Sequence, residues 1–234
     1  MKEIHINKAS FSSEKLVKKY CFFLILLLFS CQNNLVKDVD GNSYKTIQIG
    51  KTIWMAENLK TTKFANGDRI LYLKDDSTWN STQSAAFCYY NHEQENSAIY
   101  GNLYNWFAVN DPRGLCPCGW EVASKKDFEM LSIAYGCVSR SGQHLKDISL
   151  GLWVNDSTST NESGFSALPA GDRDEKFARL GYNAIFWNKE PYDGDACGYG
   201  NICAYECTLS NEVNFTLRSF TSRNRGLSVR CVKN

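Results

Sequence analysis

The stretch GLCPCGWEVASKKDFEML, residues 114–131, places Cys116 and Cys118 around a single proline and continues directly into a tryptophan and a helix signal. Ser124, followed three residues later by Asp127, is a variant of the capping box with which helices begin. The apolar residues that follow recur at helical spacing. The pattern therefore predicts a short helix after Ser124. It leaves open whether the two cysteines form a redox pair, a metal clip or a structural corner.

The N-terminus bears on that choice, because it indicates the compartment in which the chain folds. Lysines precede the apolar run Cys21–Phe29, which is too short to span a bilayer and is typical of a signal-peptide core. Leu28–Cys31 resembles a bacterial lipobox, in which a peptidase cuts before a lipid-bearing cysteine. An ordinary signal peptide with a chance cysteine is the alternative. We predict a signal peptide over residues 1–30, a tether over residues 31–37 lipidated at Cys31, and one domain over residues 38–234.

The composition agrees with an exported globular protein, and the lipid expected on Cys31 predicts that it is anchored to the bacterial outer membrane or cell surface. Hydrophobic residues make up 43% of the chain and aromatic residues 13%, which is enough for a sizeable core. The formal net charge of +1 gives no electrostatic footprint for nucleic acid. We therefore expect a membrane partner through the lipid and no nucleic-acid partner.

Eight of the ten cysteines lie beyond Cys31, and in an oxidising compartment thiols pair into structural disulfides. A zinc site is the first alternative, although a one-residue spacer around proline makes a poor chelate. A thioredoxin-like redox site is the second, but its Cys-x-x-Cys motif is absent from the sequence. The residues thus favour a disulfide-braced corner.

Strand and helix signals divide the chain into two halves. Turn signals at Asp40-Gly41 and Gly50-Lys51 separate alternating apolar runs over residues 38–62, which predicts strands. Residues 85–92 are also β-prone, and residues 100–111 predict a short helix that ends before Pro112. From Gly164 onward the chain is strand-like and rich in glycine and asparagine. The order predicts an α+β fold with two short helices, twisted antiparallel sheets and a loop-rich second half.

Five blocks of sequence, taken in order, resemble the Fibrobacter succinogenes major paralogous domain. The blocks are DGNSYKTIQIGKTIWMAENLKTTKF, YGNLYNWFAV, LCPCGWEVASKKDFEML, NESGFSALPAG and GLSVRCVKN. The resemblance covers residues 38–234 and implies a C-type-lectin-like fold, shared with formylglycine-generating enzymes, on bacterial surface lipoproteins. It implies no established activity. The chain departs from the family at Glu121, where a histidine is usual, and at residues 185–189.

The fold implied by this resemblance also suggests disulfide partners. In folds of this kind the strand that enters the first helix lies beside the C-terminal strand, so we expect a Cys116–Cys231 bond. Cys118 would then pair with Cys137. Four cysteines would remain to brace the second half in one of three connectivities: Cys88, Cys197, Cys203 and Cys207.

The sequence offers no convincing catalytic constellation, and we predict no catalytic residue. Only His92 and His144 follow the signal segment, which leaves few places for a triad base. Ser166 begins a motif like a nucleophile elbow, but the motif ends in leucine rather than glycine. We therefore interpret Ser166 as structural.

Residues 189–195, KEPYDGD, resemble the Glu-Pro-Asn loop of calcium-dependent lectins, with tyrosine in place of asparagine. A solvated acidic turn is the favoured interpretation, so we predict no metal or other cofactor and keep calcium only as a candidate. We expect any small ligand to be a carbohydrate or cell-wall glycan, because amides bind hydroxyls and aromatic rings stack on sugars. The expected ligand-binding residues are Trp187, Asn188, Glu190, Tyr192, Asp193, Asp195, Asn211 and Asn214.

The sequence as a whole favours a non-catalytic cell-surface lipoprotein that binds or adheres. Two alternatives stay open. The first is a formylglycine-generating-type copper oxidase, because Cys203 and Cys207 precede the C-terminal block much as the copper-binding cysteine pair does in that enzyme; thiolates so close together can equally be disulfide partners. The second is a structural subunit whose partner is another surface protein.

Overall fold

The computed structural model of the chain describes residues 34–197, 203–211 and 215–234. The predicted signal peptide over residues 1–30, the lipidation residue Cys31 and the predicted ligand residue Asn214 lie outside the described residues. Leu35–Asn234 forms a single unit. Within the described part of the chain, no helix is long and apolar enough to cross a membrane.

Thirteen strands and five α-helices make up the described part of this unit. The strands are β1 (Leu35–Lys37), β2 (Ser43–Ile49), β3 (Thr52–Met55), β4 (Leu71–Tyr72), β5 (Ala86–Cys88), β6 (Leu103–Tyr104), β7 (Glu121–Val122), β8 (Ala170–Arg173), β9 (Phe177–Leu180), β10 (Asn183–Tyr192), β11 (Cys203–Ser210), β12 (Thr216–Ser222) and β13 (Cys231–Lys233). The helices are α1 (Asp76–Ser81), α2 (Gln94–Tyr100), α3 (Trp106–Val109), α4 (Lys125–Ala134) and α5 (Val138–Leu145). This mixture confirms the predicted α+β class, whereas the finer C-type-lectin-like topology stays a prediction.

The first sheet brings the two ends of the domain together. Its strand order is β1-β2-β3-β13-β7, and all neighbouring strands are antiparallel. The β2–β3 hairpin turns at Gly50, whose φ of 62° lies in the left-handed region that glycine adopts readily. The C-terminal strand β13 places Val232 opposite both Trp54 of β3 and Glu121 of β7. The C-terminal strand therefore lies beside β7, the strand that leads into the helix predicted after Ser124.

The second sheet, ordered β12-β11-β10-β8-β9, separates two parts of the hydrophobic core. Ile185 and Trp187 of β10 belong to one buried cluster, and Ala184 and Phe186 belong to the other. Successive side chains of a strand point to opposite faces, so β10 is covered on both sides. A third, small sheet has the order β4-β5-β6.

Helix α4 begins where the capping box predicts. The Asp127 N–H donates to Ser124 Oγ at 3.1 Å, and the Ser124 N–H donates to Asp127 Oδ2 at 2.8 Å. Phe128 and Leu131 are fully buried, and the Phe128 ring lies 5.2 Å from that of Trp54. The helix therefore packs its apolar face onto the core that both large sheets share.

The helix predicted over residues 100–111 is much shorter in the structure, where Leu103 lies in β6 and only α3 is helical. Two asparagines explain the difference. The Asn102 amide donates to the carbonyls of Lys60 and Thr61, which holds the chain extended. Asn105 then caps α3 by accepting from the Ala108 N–H at 3.1 Å.

Three further helices, α1, α2 and α5, exceed the two that the sequence predicts. They have six, seven and eight residues. Isolated helices of that length are marginal and depend on tertiary packing. A buried tryptophan in α1, Trp79, supplies such packing.

The segment between α5 and β8 has neither helix nor strand and is held by a buried ion pair. Lys146 Nζ lies 2.6 Å from Asp156 Oδ2, and the two side chains are only 4% and 3% exposed. Burial raises the pKa of Asp156, but hydrogen bonds from Lys146 and Ser159 outweigh it and bring the pKa to about 2. The Trp153 indole N–H also donates to the Ala167 carbonyl. This part of the predicted loop-rich second half is therefore well anchored.

Candidate functional site

Trp187 and Asn188 do not lie on a surface, contrary to the sequence prediction. Both are fully buried because β10 runs between the two core clusters. The Trp187 indole N–H donates to the Tyr104 carbonyl at 2.7 Å, and the Asn188 carbonyl accepts from the Trp106 indole at 3.1 Å. These two residues therefore support the fold and cannot contact an external ligand.

Asn211 is also separated from the rest of the predicted set. Tyr192 pairs with Cys203 at the start of β11, whereas Asn211 follows the end of that eight-residue strand, about 25 Å away. The Asn211 amide donates to the Val154 carbonyl at 3.2 Å. It is thus a structural tie at the far end of the sheet.

The remaining predicted residues gather at one end of β10, beside three aromatic rings. The Tyr192 ring stacks on Phe220 with centroids 3.9 Å apart, and it meets Tyr205 edge-on at 5.3 Å. We call Tyr192, Tyr205 and Phe220 the aromatic cluster. Asp193 and Asp195, which are exposed, follow Tyr192 in the chain.

A groove of about 460 Å³ lies on the other side of Glu190, and we call it the Trp120 groove. Its walls are the end of α3, the corner at residues 114–116, β7 and the outer part of β10. Trp120 is half-buried, and its backbone N–H donates to the Pro117 carbonyl at 2.9 Å. The lining residues with functional groups for a ligand are Asn110, Asp111, Trp120, Lys189 and Glu190.

The charges of the Trp120 groove are largely paired with each other. Lys189 Nζ lies 2.7 Å from Glu121 Oε2, and this hydrogen bond holds the pKa of Glu121 below its usual value. Arg113 donates to both oxygens of Asp111 at 2.8 Å and lowers the pKa of that carboxyl. Besides the Glu190 carboxylate, the groups left for a ligand are neutral: the indole ring and N–H of Trp120 and the exposed Asn110 amide. Such a groove can stack and hydrogen-bond a ligand that is rich in hydroxyls.

Glu190 connects the groove with the aromatic cluster. It lines the groove, and its Oε2 accepts from the Lys125 N–H at the start of α4 at 2.9 Å. Lys125 Nζ in turn lies 4.5 Å from the ring centroid of Tyr205. Glu190 was expected at the site, but Trp120 was not, although it lies only two residues after Cys118. Its signal was a large aromatic residue beside a disulfide corner.

The corner itself is braced as predicted, since Cys116 is bonded to Cys231 with their Cα atoms 5.9 Å apart. The predicted Cys118–Cys137 bond is wrong, because both residues are exposed and unpaired. Cys118 lies in the turn before β7, while Cys137 follows the ten-residue helix α4, which is about 15 Å long. A disulfide needs Cα atoms within about 7 Å.

The four remaining cysteines form one bond rather than two. Cys197 is bonded to Cys203, whereas Cys88 and Cys207 are unpaired and buried. Burial raises the pKa of the Cys88 thiol to about 12 and that of Cys207 well above its usual value. Cys203 and Cys207 are therefore not a pair of free thiolates, which counts against their predicted copper role.

The carboxylates of the Asp38–Asn42 turn are saturated by protein donors. Asp38 Oδ1 accepts from two backbone N–H groups at 2.9 Å, and Asp40 Oδ2 accepts from the Thr62 N–H at 2.6 Å. Lys63 Nζ also lies 3.0 Å from Asp40. Among the described residues, no group of three or more histidine, cysteine or acidic side chains could hold a metal ion.

Ser166 is placed as a structural residue, as its motif suggested. Its hydroxyl accepts from the Asn161 amide at 3.0 Å and donates to the Gly164 carbonyl at 3.3 Å. Its backbone N–H donates to Asn161 Oδ1 at 2.9 Å. These bonds stabilise its left-handed conformation, with φ of 53°.

Comparison with known proteins identifies one family. The family model described as the Fibrobacter succinogenes major domain matches residues 47–233, which confirms the resemblance found in the sequence. No curated protein and no solved structure matches the chain. The match covers all four segments that line the Trp120 groove and both partners of the Cys116–Cys231 bond.

Proposed function

The chain belongs to the Fibrobacter succinogenes major domain family, and from that premise we propose that it is a non-catalytic binding module for carbohydrate. We further propose that a lipid on Cys31 anchors it to the bacterial outer membrane or cell surface. The Trp120 groove is the observation that carries the binding function. Glu190, which the sequence predicts as a ligand-binding residue, lines this groove.

The groove combines two features that sugar binding requires. Its half-buried indole offers a flat apolar face against which a sugar ring can stack. The exposed Asn110 amide has no hydrogen-bonding partner among the described residues, so it is available to ligand hydroxyls. The disulfide at Cys116 and the β7–β13 pairing hold rigid the part of the groove wall that residues 114–116 and β7 form. A preorganised wall lowers the entropic cost of binding.

Replacing Trp120 with alanine is expected to weaken glycan binding by roughly 5- to 30-fold, because it removes the stacking face. This corresponds to about 1–2 kcal/mol, the loss typical of an aromatic anchor in an interface. A glycan array with calcium and with chelator would identify ligands, and titration calorimetry would measure the affinities. Tyr182→Ala is the matched control, since Tyr182 is 47% exposed and lies outside the groove. It should leave affinity unchanged.

Absence of binding to any glycan, with and without calcium, would contradict the carbohydrate function. It would favour a protein partner on the cell surface instead. The structure offers one observation for that second function: Met130 and Ile133 lie three residues apart on α4 and are 54% and 60% exposed. Oxygen uptake on a cysteine peptide in the presence of copper would overturn the non-catalytic assignment.

The lipid anchor predicts a specific labelling result. Cells that express the chain and are fed an alkyne palmitate analogue should label the wild type and Cys21→Ala, but not Cys31→Ala. Cys21 is the matched control because it lies within the apolar run that signal peptidase would remove. Label that survives Cys31→Ala would contradict the anchor. Protease treatment of intact cells would then show whether the domain faces outward.

A further inference from the structure

One further cleft adjoins the Trp120 groove, and a second lies on the other side of the Asp38–Asp40 turn. The first, which we call the central cleft, has a volume of about 230 Å³ and shares Leu115 and Cys116 with the groove. The second, which we call the Lys60 cleft, has a volume of about 370 Å³ and is lined by Lys60, Tyr89 and Gln94. The Asp38–Asp40 turn contributes to both clefts. The three depressions therefore follow one another along the surface.

The Lys60 cleft repeats the chemistry of the Trp120 groove. Tyr89 is half-buried, and its ring is held 5.0 Å from Tyr72 and 5.6 Å from Phe87. The exposed Gln94 amide has no hydrogen-bonding partner among the described residues. Lys60 Nζ lies 4.0 Å from Glu57 and 5.5 Å from the centroid of the Tyr44 ring. Neither contact is a hydrogen bond, so its N–H donors remain available to a ligand. An aromatic ring and a free amide thus recur at both ends of the row.

The size of the depressions indicates how a ligand would use them. Each has 230–460 Å³, which is at the small end of ligand pockets. A single sugar would occupy one of them and leave the matching groups of the other end unused. We propose that the three depressions form one groove for a linear glycan of several sugar units. This inference rests on the carbohydrate function proposed above and specifies its ligand as a chain.

The exposed thiol of Cys118 lies in the central cleft and provides a way to block it. The only other exposed free cysteine among the described residues is Cys137, at the start of α5. Cys137 lines none of the three depressions. A bulky group on Cys118 should therefore obstruct a long ligand, whereas the same group on Cys137 should not.

The experiment compares two full-length chains in which Cys21 and Cys31 are both replaced by serine. One also carries Cys137→Ser, which leaves Cys118 for labelling, and the other carries Cys118→Ser. Each is labelled with fluorescein maleimide and titrated with oligomers of two to eight units of the best glycan from the array. Before labelling, affinity should rise with oligomer length and then level off. Label on Cys118 should weaken binding of the longest oligomer more than tenfold and that of the disaccharide less than twofold.

A substitution at the far end gives an independent result. Gln94→Ala, at an exposed position of α2, should weaken binding of long oligomers only. Equal affinity for all lengths, or equal effects of label on Cys118 and Cys137, would overturn the extended groove and leave the carbohydrate function intact. If no oligomer binds any chain, the carbohydrate function fails and the extended groove fails with it.

Discussion

Replacing Cys116 with serine is expected to lower the free energy of unfolding by about 5 kcal/mol. The Cys116–Cys231 bond closes a loop with a sequence separation of 115 residues, and the chain-entropy model assigns about that much to such a loop. In a domain of this size the melting temperature should fall by roughly 10–20 °C. Urea unfolding under oxidising conditions measures the difference, and thiol titration should find Cys231 newly free.

The location of the Cys116–Cys231 bond supports a loss of stability of this size. Cys231 opens β13, which lies between β3 and β7, and it stands directly opposite Val122. Both bonded cysteines are buried, at 4% and 0% exposure. A serine hydroxyl at Cys116 would be buried in an apolar cluster, which adds a desolvation cost. The same bond anchors the corner that forms one wall of the Trp120 groove, so glycan affinity should fall as well.

Two other cysteines provide matched controls. Cys197→Ser opens a loop with a separation of only six residues, for which the same model gives about 2 kcal/mol. Cys118→Ser removes an exposed, unpaired thiol two residues from Cys116 and should change stability by less than about 0.5 kcal/mol. Equal effects at positions 116 and 118, or a wild-type Cys231 that reacts with alkylating reagent, would contradict the braced corner.

Local signals predicted the parts of the fold that depend on neighbouring residues. The β2–β3 hairpin follows from a glycine turn between alternating strands, and α4 follows from Ser124 and Asp127. The Cys116–Cys231 bond required more than local signals, since the implied fold had to place β7 beside the last strand. The α+β class could be predicted because the β2–β3 hairpin and α4 are specified by residues close together in the sequence.

The burial of β10 could not be predicted, because it depends on what covers each face of the strand. Trp187 and Asn188 precede an acidic turn, and alternation in the sequence does not distinguish a strand with one buried face from one with two. Tertiary packing on both faces of β10 buries these two residues. The prediction of a surface site is therefore wrong at the buried centre of the strand, whereas a binding role for Glu190 and Tyr192, at its partly exposed end, stays a prediction.

Long-range hydrogen bonds explain the other discrepancy. Leu103 and Trp106 fit helical spacing, but the amides of Asn102 and Asn105 bind carbonyls far along the chain, including that of Ser84. These side-chain bonds compete with the helix. Nothing in the local pattern identifies such partners. Trp120 was missed for a related reason, since its groove is assembled from four separate segments.

Replacing Arg230 with methionine is expected to lower the free energy of unfolding by about 3–5 kcal/mol. The guanidinium is fully buried and donates to Asn58 Oδ1 at 2.7 Å. It also donates to three backbone carbonyls at 2.6–2.9 Å, those of Met55, Phe165 and Ser166. Methionine fills much of the volume but leaves four buried acceptors without donors, each at a cost of about 1–3 kcal/mol before relaxation. Urea unfolding monitored by circular dichroism measures the loss.

The size of this effect depends on which partner of the network is removed. An apolar replacement of a whole buried ionic network can be neutral, but the carbonyl acceptors around Arg230 belong to the backbone and cannot be replaced with it. Arg230→Lys should also destabilise the fold, since one ammonium cannot reach acceptors that a planar guanidinium spans. Arg113→Met is the control: that arginine is 39% exposed and pairs with Asp68 and Asp111, so the loss should stay below about 1 kcal/mol. If Arg230→Met and Arg113→Met unfold at the same urea concentration, Arg230 does not hold the loop at residues 165–166 against β3.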